Sequence, residues 1–169
     1  MELDEIIRDL KLGKVVTVPT ETVEGYAVDA NNEAAVQELM RIKERPVGSG
    51  KVFTLVPESV DAIEKYVVVS KVARGLIDKY IPGELTLILP KRASFRHFYY
   101  DAVEAIGVRI PDHPYFGRIL TEVGALMLTS ANPRGGVPKS LTGHKPSTIV
   151  DCTGAQPMVV RQGEITVDF

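Results

Sequence analysis

Four short aliphatic runs in this sequence each stop at a proline: Val15–Val18 before Pro19, Val52–Val56 before Pro57, Leu85–Leu89 before Pro90, and Ile106–Ile110 before Pro111. Runs of four or five residues are too short for ordinary helices. Their β-branched content marks strands, and proline ends a ladder because it has no N–H to donate. Leu126–Thr129, Ser147–Val150 and Met158–Arg161 read as further strands. Helical spacing fills the gaps: Leu3, Ile6, Ile7 and Leu10 before Gly13, then Asn31–Lys43 with Asn32 as N-cap, then 59–65, 71–80 and 114–123. Residues 91–104 are aromatic and basic without a clean period. Intermixed strands and helices argue against a bundle or a sandwich and predict an α/β or α+β architecture. With 169 residues, no repeat and no composition shift, the chain reads as one domain over 1–169.

Much is excluded by what the sequence lacks. A net charge of −2 advertises neither nucleic acid nor a membrane surface. The lone cysteine, Cys152, rules out an intramolecular disulfide and follows an apolar run, as a small buried residue would. The acidic start Met1-Glu2-Leu3-Asp4-Glu5 is no signal peptide, and no segment approaches the roughly 20 apolar residues of a membrane span, so a cytoplasmic protein is expected. There is no GxxxxGK[ST] loop, GxGxxG, HExxH or CxxC pair, and His97, His113 and His144 are scattered, so no metal site is predicted.

The positive signals sit where elements end. Lys43-Glu44-Arg45-Pro46 closes the second helix, with Lys43 in its last turn and Arg45 pushed out by the following proline. Two such cations could clamp phosphate, and they would equally offset the helix dipole. Ser130-Ala131-Asn132 leaves a strand with hydroxyl and amide on one side, or simply makes a turn before Gly135-Gly136. Pro19-Thr20-Glu21-Thr22 closes the first strand as a possible cap or Thr-rich turn, and Arg109 is a cation inside a strand pattern that either reaches the surface or meets an anion. None of these is specific alone.

Their order is specific. The succession PTxT at 19–22, KxRP at 43–46, PGxxT at 82–86, RxPxHP at 109–114, SAN at 130–132, PSTxxD at 146–151 and RxG at 161–163 resembles the YrdC family along nearly the whole chain. The resemblance implies a twisted mixed sheet flanked by helices, enclosing a concave basic cleft. It implies an L-threonylcarbamoyladenylate synthase that joins L-threonine, bicarbonate or CO₂ and ATP, releasing pyrophosphate, with Mg²⁺ assisting. A tRNA-modifying transferase complex would take the product to tRNA. By this resemblance Lys43, Arg45, Ser130 and Asn132 are catalytic and hold ATP together with Ser49, Lys139, Ser140 and Arg161. Threonine falls to Thr22, Arg109, Thr129 and Ser147, with Arg109 on its carboxylate.

The sequence also departs from that family. Glu24 stands where an aromatic residue is common, the histidine found near Thr54 in some members is absent, and the loop after Asn132 is one residue longer. Gly25-Tyr26-Ala27 and Phe53-Thr54-Leu55 resemble the YciO-like branch, although the KxR and SxN elements are intact. The rival reading is a YciO-like protein that binds tRNA or double-stranded RNA with little or no synthase activity. The cations Lys91, Arg92, Arg96 and His97, mixed with Phe95, Phe98, Tyr99 and Tyr100, would serve it, unless those aromatics pack on the domain. Carbamoyl transfer in hydrogenase maturation ranks third, because it calls for acylphosphatase-like and zinc segments not found in this sequence.

Overall fold

The computed structural model describes residues 2–131 and 145–169. Its elements run α1 (Leu3–Lys11), β1 (Val16–Val18), β2 (Gly25–Asp29), α2 (Glu33–Lys43), β3 (Thr54–Val56), α3 (Lys71–Tyr80), β4 (Leu85–Pro90), β5 (Ala105–Val108), α4 (Pro114–Val123), β6 (Leu126–Ser130), β7 (Thr148–Asp151) and β8 (Met158–Arg161). Short 3₁₀ turns occupy Asp61–Lys65 and Tyr100–Ala102. Each predicted strand is present, and the expected helix at 59–65 tightens into the first of those turns. One strand, β2, went unpredicted.

The strands described form one twisted mixed sheet in the order β1-β2-β6-β3-β5-β4-β7-β8. β3 pairs parallel to β5 and β4 parallel to β7, while the other neighbours are antiparallel. The consequence for function is that β6, late in the chain, lies between β2 and β3, both early. Gly25 of β2 pairs with Ser130, and Thr54 of β3 pairs with Leu128. A Cβ at Gly25 would sit 2.7 Å from the Leu128 side chain and 3.1 Å from the Thr129 carbonyl, so only glycine lets these strands approach so closely here.

Helix ends carry the caps their sequences call for. The Asn32 side chain accepts from the Ala35 N–H at 3.0 Å to start α2, and Ser70 does the same for α3 from Ala73. His113 accepts from Tyr115 N ahead of Pro114, which opens α4. Ile6, Ile7 and Leu10 of α1 are buried, and α1 lies against β1, β2 and α4. The core between helices and sheet is aliphatic, with Leu39, Leu55, Ile77, Leu85, Leu87, Leu89 and Ile106 all essentially inaccessible to solvent. No helix among the described residues is long and apolar enough to cross a membrane.

Candidate active site

α2 ends in a way that decides where its cations go. Glu44 adopts the left-handed region at φ 52°; its N–H donates to Arg41 O, and the Arg45 N–H donates to Met40 O at 3.0 Å. This is a Schellman turn with glutamate in the position glycine usually takes. It reverses the chain between two cations separated by one residue. Lys43 remains in the helix and is buried, with its Nζ donating to Ser130 O at 3.0 Å. Arg45 leaves the helix, donates from Nη1 to Thr129 Oγ1 at 3.2 Å, and lies 5.5 Å from the centre of the Phe53 ring. Two adjacent residues of β6 are therefore gripped by the two cations. Burial, then the charges of Arg45 and Lys51, hold the Lys43 pKa below its ordinary value.

Arg109 forms a second cationic centre just beyond β5. Its guanidinium is buried and donates from Nε to Gly83 O at 3.0 Å. Nη2 donates to Glu21 Oε1 and to Thr22 Oγ1, the latter at 3.1 Å. Burial draws the Arg109 pKa down, and the charges of Glu21 and Glu84 act against that. Thr22 is itself buried, in contact with the Thr20 hydroxyl at 3.2 Å.

The third group comes from the last strands. Arg161 of β8 donates from Nε and Nη2 to Ser147 O at 3.0 and 2.8 Å, and Ser147 Oγ shares a hydrogen bond with Thr86 Oγ1 at 2.8 Å. Gly163 makes this approach possible. A Cβ there would press into Pro146 O and stand 2.6 Å from Thr148 N.

These groups face one cavity of about 520 Å³. On its described walls stand the cations Arg45, Lys51, Arg109 and Arg161, the hydroxyl residues Thr20, Thr54, Thr86, Thr129, Ser130 and Ser147, and a sole carboxylate, Glu24. Of the residues expected from sequence, Arg45, Thr129, Ser130, Arg109, Ser147 and Arg161 thus share one wall. Lys43 and Thr22 stand behind it, joined to Ser130 and Arg109. Ser49 is off the wall, its hydroxyl donating to Lys51 O at 2.8 Å. Asn132, Lys139 and Ser140 lie outside the described residues. Sequence reasoning did not single out Lys51, Thr86 or Glu21 for the site. Two of them carried a signal: Glu21 stands between the two threonines of the PTxT run, and Thr86 closes the PGxxT run.

Residues 91–104 turn their rings inward. Tyr99 and Tyr100 are buried, Tyr100 Oη donates to Phe53 O at 2.8 Å, and Tyr99 stacks on Phe53 with centroids 5.1 Å apart. Phe95 meets Tyr66 edge to face at 4.9 Å. No row of exposed aromatics is left here for bases to stack on.

Fold and cavity together define an α/β protein that collects cations and hydroxyls from several strand ends around one anion-sized space. The chain belongs to the family whose model, Sua5_yciO_yrdC, described as "Telomere recombination", matches residues 8–142. A relative from Methanocaldococcus jannaschii is 35% identical over 133 residues, covering 79% of this chain and 61% of its own length. The threonylcarbamoyl-AMP synthase of Vibrio campbellii is 31% identical over 139 residues, covering 80% of this chain and 74% of the relative. The fold matches that of P. abyssi Sua5 complexed with L-threonine, with a TM-score of 0.82 at 24% identity, over 95% of this chain and 54% of that one. The chain therefore spans little more than half the length of that Sua5 and about three fifths of the M. jannaschii relative.

Proposed function

We propose that this protein is an L-threonylcarbamoyladenylate synthase, making threonylcarbamoyl-AMP and pyrophosphate from L-threonine, bicarbonate or CO₂ and ATP. Its product would pass to a tRNA-modifying transferase complex to form threonylcarbamoyladenosine. The observation that carries this reading is one cavity bearing two separate cationic centres, Arg45 backed by Lys43 at one end of β6 and Arg109 with Arg161 nearby. One centre suits a triphosphate and the other an amino-acid carboxylate. The synthase name of the V. campbellii relative and the L-threonine in the Sua5 complex agree with it.

The chemistry follows from placing anions together. The threonine amine takes up CO₂ and gives up a proton, leaving a carbamate. A carbamate oxygen then forms a bond to the α-phosphorus of ATP while the bond to the β-phosphate oxygen breaks, releasing pyrophosphate. Carbamate and triphosphate are both anionic, so the contribution of this chain is position and compensating charge. Lys43 and Arg45 would hold the phosphates against the β6 end, with Ser130, Asn132 and Arg161 completing the nucleotide contacts. Thr22 and Ser147 would fix the amino acid around Arg109. Carbamate decomposes in water, which favours a walled cavity. Mg²⁺ would arrive on the triphosphate and neutralise part of its charge; Glu24, with the wall hydroxyls, is the donor set available to it. The inward packing of Tyr99, Tyr100 and Phe95 gives no support to the RNA-binding alternative.

The reading makes a pH prediction through Lys43. Its pKa is depressed in the folded state, so between that value and the ordinary lysine value of about 10.4 the unfolded chain binds more protons. The stability of the ligand-free protein should then rise with pH across that window. A bound triphosphate favours the charged ammonium instead. ATP affinity should therefore weaken with rising pH, starting below about pH 10.4, and Lys43→Arg should flatten that slope. Calorimetric titration of ATP between pH 7 and 10 checks both statements.

The deciding experiment for the function is pyrophosphate release with ATP, Mg²⁺ and bicarbonate, with and without L-threonine. Threonine-dependent release is expected. Absence of release with any amino acid, together with salt-sensitive tRNA binding, would replace this reading with the RNA-binding one.

A further inference from the structure

The guanidinium of Arg109 is held from one side only. Of its five N–H donors, Nε is taken by Gly83 O, and Nη2 by the Glu21 carboxylate and Thr22 Oγ1. Among the described residues no acceptor meets Nη1. Arg109 stands on the cavity wall, whereas Glu21 does not. The second oxygen of Glu21, Oε2, accepts the backbone N–H of Asp112. One carboxylate thus ties the loop after β1 to both the arginine and the segment between β5 and α4.

We infer that Glu21 is a positioning residue for the amino-acid carboxylate, fixing the plane of Arg109 so that its Nη1 edge is presented to the substrate. The inference rests on the reading of Arg109 as the carboxylate site. An arginine side chain free to turn would have to be ordered on each binding event, and that entropy cost lowers affinity. Glu21 removes the cost in advance, with Thr22 and Gly83 setting the same plane. Its negative charge also makes the Arg109–Glu21 pair neutral, so the pair alone would attract a carboxylate weakly. Arg161 compensates: its charge is felt at Arg109, and the two guanidinium groups share the cavity wall.

The opposite role is open to a carboxylate in this place. Glu21 could instead occupy Arg109 in competition with substrate and have to be displaced. The two roles give opposite signs, so a pair of variants separates them. Glu21→Ala should raise the KM for L-threonine about tenfold to a hundredfold, the worth of a charge-assisted hydrogen bond, while the KM for ATP stays within about twofold. Glu21→Gln keeps an oxygen for Nη2 and should recover most of the threonine affinity. Nitrogen-detected NMR of the Arg109 Nε–H supplies a readout independent of turnover: slow exchange in the wild type and faster exchange in Glu21→Ala are expected. A lowered or unchanged threonine KM in Glu21→Ala, or equal rises in both KM values, would overturn the inference. Should the wild type release no pyrophosphate with threonine, the proposed function fails. Glu21 is then judged on the NMR alone, where unaltered exchange in Glu21→Ala sinks the positioning role.

Discussion

Arg45→Ala should lower kcat/KM for ATP by about 10²- to 10³-fold, the usual cost of removing one preorganised donor from developing charge. Thermal stability should hardly move. Arg45 is half-buried, and its contacts include a hydrogen bond to the Thr129 hydroxyl and the face of Phe53. A cation–π contact at a partly exposed site is worth about 0.5–1 kcal/mol. In a domain of this size each kcal/mol shifts the melting temperature by about 2–4 °C, so the loss should stay near that range. Pyrophosphate kinetics and calorimetry on one preparation decide it. A large fall in melting temperature with normal turnover would assign Arg45 to the end of α2 and remove it from the chemistry.

Arg109→Ala should do both kinds of damage. Threonine-dependent turnover should disappear, and stability should fall by about 3 kcal/mol, because truncating one partner of a buried ion pair leaves the other uncompensated. The 18% exposure of the Glu21 side chain, and its retained bond to the Asp112 N–H, keep the loss at the low end of that effect. Two measurements separate the roles. The double variant Arg109→Ala/Glu21→Ala should regain most of the lost stability, since no orphan carboxylate remains, yet should not regain threonine dependence. If the double variant is as unstable as the single one, the pair is not what holds this corner together.

Sequence reasoning reached most of the fold because its signals were local. The strand-ending prolines at 57 and 111 and the cap at Asn32 act on their own neighbours, and the structure places elements where they point, although Pro90 is the last residue of β4 rather than the first beyond it. β2 escaped because Gly25-Tyr26-Ala27-Val28-Asp29 has too few β-branched residues to register as a strand. Pairing with β1 and β6 makes it one, and that is a tertiary effect. The site divides in the same way. Motif order brought attention to Arg45, Ser130, Arg109 and Arg161, while no local pattern could reveal that the carboxylate on Arg109 is Glu21, which arrives from another loop. Ser49 entered through the family resemblance alone, and the turn after Pro46 sends its hydroxyl to the Lys51 carbonyl.

The interleaved strand order also governs how the molecule can be made. As the chain leaves the ribosome, α1 through β5 emerge with β2 and β3 lacking the strand that belongs between them. Only when residues 126–130 arrive can β6 close that gap, and only with residues 148–151 does β4 gain β7. Lys43 and Arg45 wait for the same event, because Ser130 and Thr129 are their partners. Sheets closed by such distant pairings form slowly, and unpaired edges invite aggregation in the interval. A nascent chain stalled before β6 should therefore be both sticky and inert, with nucleotide binding arising in the step that seals the sheet.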